Sequence, residues 1–91
     1  MGGMTTIRYD PMQVGALSRV IKTRRGMRIG KQYRLGRYGH HGAIIWTAMT
    51  LVEKRSRYAR FRVDGVLGSY FTCYGWFELM TALGDGEEGV L

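Results

Sequence analysis

Ala43-Ile44-Ile45-Trp46-Thr47-Ala48-Met49-Thr50-Leu51-Val52 carries no charged side chain and is rich in β-branched and aromatic residues. That composition is the mark of a strand, and its unbroken apolar character predicts a central strand covered on both faces. Glu53-Lys54-Arg55-Ser56 is polar enough to be a hairpin turn, after which Arg57 to Asp64 alternates with period two. On that period Ala59, Phe61 and Val63 point inward, whereas Tyr58, Arg60 and Arg62 point outward. Asp64-Gly65 is a turn dipeptide, and Val66 to Phe71 reads as a short returning strand.

Upstream, Met27, Ile29, Tyr33 and Leu35 alternate with polar residues, which predicts a strand over 27–35 despite Lys31. Three glycines in Gly36-Arg37-Tyr38-Gly39-His40-His41-Gly42 predict a loop with unusual backbone angles. Asp10-Pro11 is a helix start signal, with Asp as N-cap and Pro at the first helical position. A helix over 11–22 follows, with Val14, Leu17 and Ile21 on its apolar face beside Met12, Ala16 and Val20. Thr72 is the expected cap of a second helix over 73–83, in which Trp76, Leu79, Met80 and Leu83 share a face and Gly84 ends the helix.

These elements predict one small α+β domain spanning 1–91, built from an N-terminal helix, a three- or four-stranded antiparallel curved sheet and a C-terminal helix. Residues 1–9 and 85–91 are expected to be flexible. The strand-rich middle resembles an SH3-like barrel at the level of architecture alone, and architecture assigns no function.

The charge of the chain is segregated along its length. Net charge is +7, but Arg19 to Arg62 holds thirteen Lys or Arg against Glu53 alone, while residues 63–91 carry five acids and no base. Eleven of the fourteen basic residues are Arg. Guanidinium groups grip phosphate oxygens in pairs and stack on bases, so this bias predicts a polyanion-binding surface. The residues expected to form it are Arg24, Arg25, Arg28, Lys31, Arg34, Arg37, Lys54, Arg55, Tyr58, Arg60 and Arg62. Tyr33 and Tyr38, with Tyr58, are the aromatics placed to stack on unpaired bases.

Catalytic and metal chemistry find little footing. Adjacent His40 and His41 point to opposite sides of an extended segment and have no neighbouring ligand to complete a set. Cys73 is the single cysteine and, among apolar neighbours near a helix start, reads as buried and structural. The carboxylates are scattered, no phosphate-cradling glycine motif is present, and the Tyr70–Phe77 aromatics read as core. No cofactor is expected. One cysteine and no long apolar run place the chain in a reducing compartment, the cytoplasm, away from membranes.

Two functions are compatible with this reading. The first is a non-enzymatic module that binds DNA or RNA through its arginines. The second is a small inhibitor or adaptor, of the anti-CRISPR kind encoded by phages or mobile elements, that sets its basic face against an acidic protein surface.

Overall fold

The structure, a computed structural model, describes residues 11–91, and for 11–14 and 16 the backbone alone. Its elements in chain order are α1 (Pro11–Gly26), β1 (Gln32–Tyr38), a short 3-10 turn (His40–Gly42), β2 (Ile44–Lys54), β3 (Tyr58–Gly65), β4 (Gly68–Gly75), α2 (Trp76–Leu83) and β5 (Glu88–Val90). The α+β class is as the sequence predicts. The sheet has five strands in the order β4-β3-β2-β1-β5, and it is open where an SH3-like barrel would be closed. It is also mixed: β1 to β4 pair antiparallel, whereas β5 runs parallel to β1 with Arg34 opposite Glu88.

The segment expected to be a mobile acidic tail therefore contributes the fifth strand. Arg34 N–H donates to the Glu87 carbonyl and Leu91 N–H to the Gly36 carbonyl, which extends the pairing beyond β5 itself. A glycine makes this docking possible. A Cβ on Gly89 would stand 1.6 Å from the carbonyl oxygen of Ala82 in α2, a separation no side chain tolerates.

One face of the sheet meets the helices. Tyr33, Leu35, Met49, Leu51, Ala59, Phe61, Val63 and Tyr74 from the strands enclose the core with Trp76, Leu79 and Leu83 of α2 and with Met27 just after α1. Phe61 is fully buried at the centre and meets Tyr33 and Tyr74 edge-on, with centroids 6.3 and 6.0 Å away. Edge-to-face packing sets the positive ring edge against a negative ring face, which adds to the roughly 1.5–3 kcal/mol gained by burying such a side chain.

Several boundaries differ from the sequence reading, each for a local reason. Helix α1 runs to Gly26; among its described side chains Thr23 is buried and Val20 half-buried, whereas Leu17 and Ile21 of the expected apolar stripe are exposed, and Met12, Val14 and Ala16 lie outside the described side chains. Asp10 and its proposed cap lie outside the described residues, as do residues 1–9. Met27–Ile29 is not strand, because Gly30 at φ 89° reverses the chain and Lys31 N–H donates back to the Arg28 carbonyl. Gly36 to Tyr38 continue β1 instead of looping, and Glu53 and Lys54 continue β2.

Asp64 and Gly65 belong to β3, and Val66-Leu67 forms the turn. Strand β4 reaches Gly75, so Thr72 and Cys73 are strand residues and not the start of a helix. The N-cap of α2 is Gly75, whose N–H donates to Glu78 Oε1 at 3.3 Å, half of a capping box. Gly84 ends α2 as the sequence predicts, with a positive φ of 56° but with ψ −119°, outside the left-handed helical well.

Candidate functional site

Strand alternation sorts the second face of the sheet, which neither helix covers. Because directly paired residues in an antiparallel sheet share a face, the pairs Gly36↔Trp46, Arg34↔Ala48, Arg62↔Phe71 and Arg60↔Cys73 all belong to it. Tyr58 lies on it two residues from Arg60, at the β2–β3 end, and Tyr38 opposite Ile44 at the β1–β2 tip. Trp46 is 40% exposed, Phe71 55% and Tyr38 69%. Large aromatics left in water over an open sheet are costly unless something covers or uses them.

Two arginines are stacked on these rings. The Arg34 guanidinium lies 5.0 Å from the Trp46 centroid and that of Arg60 lies 4.1 Å from the Phe71 centroid. Both separations fall inside the range over which a cation is attracted by the ring quadrupole. Glycine again permits the arrangement. A Cβ on Gly36 would come within 2.8 Å of Ile44 Cγ2 and 3.2 Å of the Trp46 ring, so the indole lies across β1 where no side chain intervenes.

Acids accompany every guanidinium on this face. Arg34 Nη1 is 2.9 Å from Glu88 Oε2, Arg62 Nε is 3.3 Å from Asp64 Oδ1, and Arg60 Nη1 is 3.8 Å from Glu53 Oε2. The other oxygen of Glu53 holds Arg55 at 2.5 Å, which ties the β2–β3 turn to the open face. These pairs are solvent-exposed and contribute little to stability. Their effect is on the local field, which they bring close to neutral.

Several cations without a carboxylate partner gather at one end of the molecule. Arg24 and Arg25 occupy the last turn of α1, where the helix dipole favours positive charge. Lys54 Nζ donates to the Arg24 carbonyl at 2.7 Å and so holds the end of β2 against the end of α1. Arg57 stands in the adjoining β2–β3 turn. Among the described residues none of these four is paired with a carboxylate. The Arg24 guanidinium lies 5.9 Å from the centroid of the buried Trp76, whose Nε1 donates to the Arg55 carbonyl at 2.8 Å, so this basic end is anchored to the core.

The basic residues expected to form one surface are thus divided among several. Arg34, Arg60, Arg62 and Tyr58 share the open face, and Arg24, Arg25, Lys54 and Arg55 gather at the end next to it. Lys31 is held by Glu87 at 2.7 Å, part of the neutralisation of the middle of the chain by the C-terminal acids. Arg28 follows α1 in a turn. Arg37, expected in a loop, is a β1 residue on the helix-bearing face, because it is in register with Ile45 and two residues from Leu35.

The aromatic expectations also change. Tyr33 is buried, its hydroxyl accepting from Arg28 N–H at 2.9 Å, and is not available to stack on a ligand. Tyr38 and Tyr58 are exposed as predicted, and Trp46 and Phe71, read as core, are exposed on the same face. Of the Tyr70–Phe77 group only Tyr74 and Trp76 are in the core; Tyr70, Phe71 and Phe77 are exposed. Cys73 is exposed on the open face opposite Arg60, contrary to the buried cysteine predicted.

The β1–β2 tip holds His40 and His41, both exposed, with His41 at φ 67°. Among the described residues no three His, Cys, Asp or Glu side chains gather into a metal-ligating group, and no helix is long and apolar enough to cross a membrane. Comparison with protein-family models, with curated proteins and with solved structures gives no match to this chain.

Proposed function

We propose that this chain is a non-enzymatic module that binds single-stranded nucleic acid, with bases stacked on the open sheet face and phosphates held at the adjoining basic end. The observation that carries the reading is the uncovered pair of aromatics, Trp46 and Phe71, each with a guanidinium against its ring, on a sheet face that continues into a turn bearing Arg57. Stacking is sequence-tolerant, because every base has a π-face, and it needs unpaired bases, which a duplex does not offer. Phosphate attraction falls to Arg24, Arg25, Lys54 and Arg57, whose charge no described carboxylate offsets.

Fluorescence anisotropy with labelled single-stranded and duplex oligonucleotides, across a salt series from about 50 to about 300 mM, tests this. Single strands are expected to bind more tightly than duplex, with log affinity falling linearly with log salt. Trp46→Ala is expected to weaken single-strand binding by about tenfold, the scale of one lost stacking contact. Affinity indifferent both to salt and to Trp46→Ala would reject the reading.

A second reading has its own support. Each open-face guanidinium already has a carboxylate partner, and Ile44, Ile45, Val66 and Leu67 stand exposed at the two hairpin tips. Aromatics and arginines with charge already balanced are the composition of a protein-binding hot spot, and the exposed aliphatic tips would extend the apolar surface around it. In that case the chain is an inhibitor or adaptor, and a stoichiometric protein partner survives nuclease treatment in a pull-down that Trp46→Ala abolishes.

A further inference from the structure

The two hairpins of the sheet part company on one side. β1 and β2 pair as far as Tyr38↔Ile44, and β3 and β4 as far as Gly65↔Gly68, but β2 and β3 pair only between Thr50↔Arg62 and Lys54↔Ala59. On the helix-bearing face, where the hairpins separate, a groove of about 220 Å³ opens between them. Its apolar lining is Leu35, Met49 and Val63, one residue each from β1, β2 and β3. Arg37 enters it from β1.

Arg37 is placed there by its neighbours. Its Nη2 donates to Tyr74 Oη at 3.3 Å, and its guanidinium carbon lies 5.8 Å from the centroid of that ring. Tyr74 is itself almost fully buried and packed on Phe61, so the hydroxyl that positions Arg37 is fixed by the core. The hydroxyl-bearing side chains of Thr47, Thr72 and Tyr70 also line the groove.

No described carboxylate serves this guanidinium. Glu53, Asp64, Asp85, Glu87 and Glu88 are paired with other cations, and Glu78 accepts from Gly75 N–H. Arg37 is exposed at the groove, with one donor on a neutral hydroxyl and the others unspent on any described acid, so an anion entering the groove meets a guanidinium free to grip it.

The geometry points to a binding site for a phosphate monoester group in the groove between the hairpins, with Arg37 as its cationic donor. Two features select the ligand class. The volume is below that of usual small-molecule pockets, which hold a nucleoside-sized group, so the site takes a headgroup and leaves what it is attached to outside. A tetrahedral phosphate offers three terminal oxygens to a guanidinium fork and a ring of hydroxyls, whereas a carboxylate offers two. The site lies on the opposite face from the proposed stacking surface and does not depend on that surface being used.

The test is a titration of the folded protein with inorganic phosphate, methyl phosphate and acetate, followed by NMR of the arginine Nε–Hε and backbone amide resonances. Methyl phosphate is expected to shift the Arg37 Nε–Hε signal together with the amides of Thr47 and Thr72, and more strongly than acetate at equal ionic strength. Arg37→Lys, which keeps the charge and removes the fork, is expected to weaken binding by about tenfold, and Arg37→Ala to abolish the shifts. Tyr74→Phe keeps the ring in the core and is expected to weaken binding by a smaller factor.

Shifts that persist in Arg37→Ala, or acetate binding as well as methyl phosphate, would overturn the assignment. A comparison of 5′-phosphorylated and 5′-hydroxyl oligonucleotides then separates the sources. An Arg37-dependent preference for the phosphorylated end identifies a strand terminus as the ligand. Arg37-dependent binding of methyl phosphate without that preference identifies a small free ester. Because neither arm requires Trp46 or Phe71, loss of strand stacking and loss of phosphate binding are scored independently.

Discussion

The indole of Trp46 rests directly on the backbone of Gly36, and the exposed aromatic face of the sheet exists because position 36 has no side chain: a Cβ there would lie 3.2 Å from two atoms of the ring. Gly36 is itself buried in β1 beneath Trp46 and Ile44. The contact couples a single missing methyl group to the placement of the Arg34–Trp46 stack.

Gly36→Ala is expected to lift Trp46 away from β1 while leaving the strand paired. Overpacking of this kind costs about 1–3 kcal/mol when the neighbours are confined, and less here because Trp46 and Ile44 have solvent to move into. The expected readouts are a red-shifted Trp46 emission, measured in a Trp76→Phe background, and weaker single-strand binding, with an unfolding midpoint lowered only slightly.

Gly89→Ala meets backbone instead of a movable ring. With Ala82 O 1.6 Å from the added carbon, either β5 or α2 must shift. The expected loss is about 1–3 kcal/mol in urea unfolding, by the same overpacking argument. Release of β5 also frees the Arg34 amide, which donates to Glu87 O, so faster hydrogen exchange at Arg34 than at Phe61 identifies local undocking as the cause.

Glu88→Gln removes the carboxylate 2.9 Å from Arg34 without changing shape. If bases and phosphates approach the open face, affinity for a single strand is expected to rise severalfold at low salt, and the dependence on log salt is expected to steepen by up to about one unit. Stability should move by less than about 1 kcal/mol, since the pair is exposed. Unchanged affinity would place the phosphates away from Arg34.

Phe61→Ala tests the core between the sheet and the helices. Phe61 is fully buried between Tyr33 and Tyr74, so the loss is expected at about 3–5 kcal/mol. Its partner prediction is Phe71→Ala, ten residues on and 55% exposed. That change is expected to cost well under half as much stability while removing about tenfold of single-strand affinity.

Much of the architecture is written in periodicity. The alternation Tyr58 to Val63 sorts Ala59, Phe61 and Val63 inward and Tyr58, Arg60 and Arg62 outward, as the structure has it, and the Trp76, Leu79, Leu83 spacing marks the buried side of α2. What periodicity does not encode is which sheet face receives a helix. Ile44 to Val52 reads as doubly buried from its composition, yet the helices cover one face only and Trp46 is left at the other. The exposed Trp46 leaves one signal in the sequence, a glycine at the cross-strand position 36, and its meaning depends on a register that only the folded sheet defines.

The same limit explains the basic residues. Linear segregation of charge suggested convergence, but Lys22, Lys31 and Arg34 are met by Asp85, Glu87 and Glu88, more than fifty residues downstream. The parallel return of β5 creates those encounters, and nothing local to the acidic segment announces a strand. Arg37 reads as loop because it lies inside the glycine-rich stretch from Gly36 to Gly42, although β1 continues through Tyr38. Cys73 was misassigned because a helix boundary three residues late moves a side chain from a core to an open surface.

At Val52 the pairing of β2 with β3 slips by one residue, between Leu51↔Phe61 and Glu53↔Arg60. Such a bulge bends its strand and sharpens the local twist. It lies two residues short of Thr50↔Arg62, the last β2–β3 pair before the hairpins part, so its twist bears on how the plate that carries Trp46 meets the plate that carries Phe71. For a strand bridging those rings as proposed, backbone curvature at a position that touches neither would tune the span, leaving every contacting side chain unchanged.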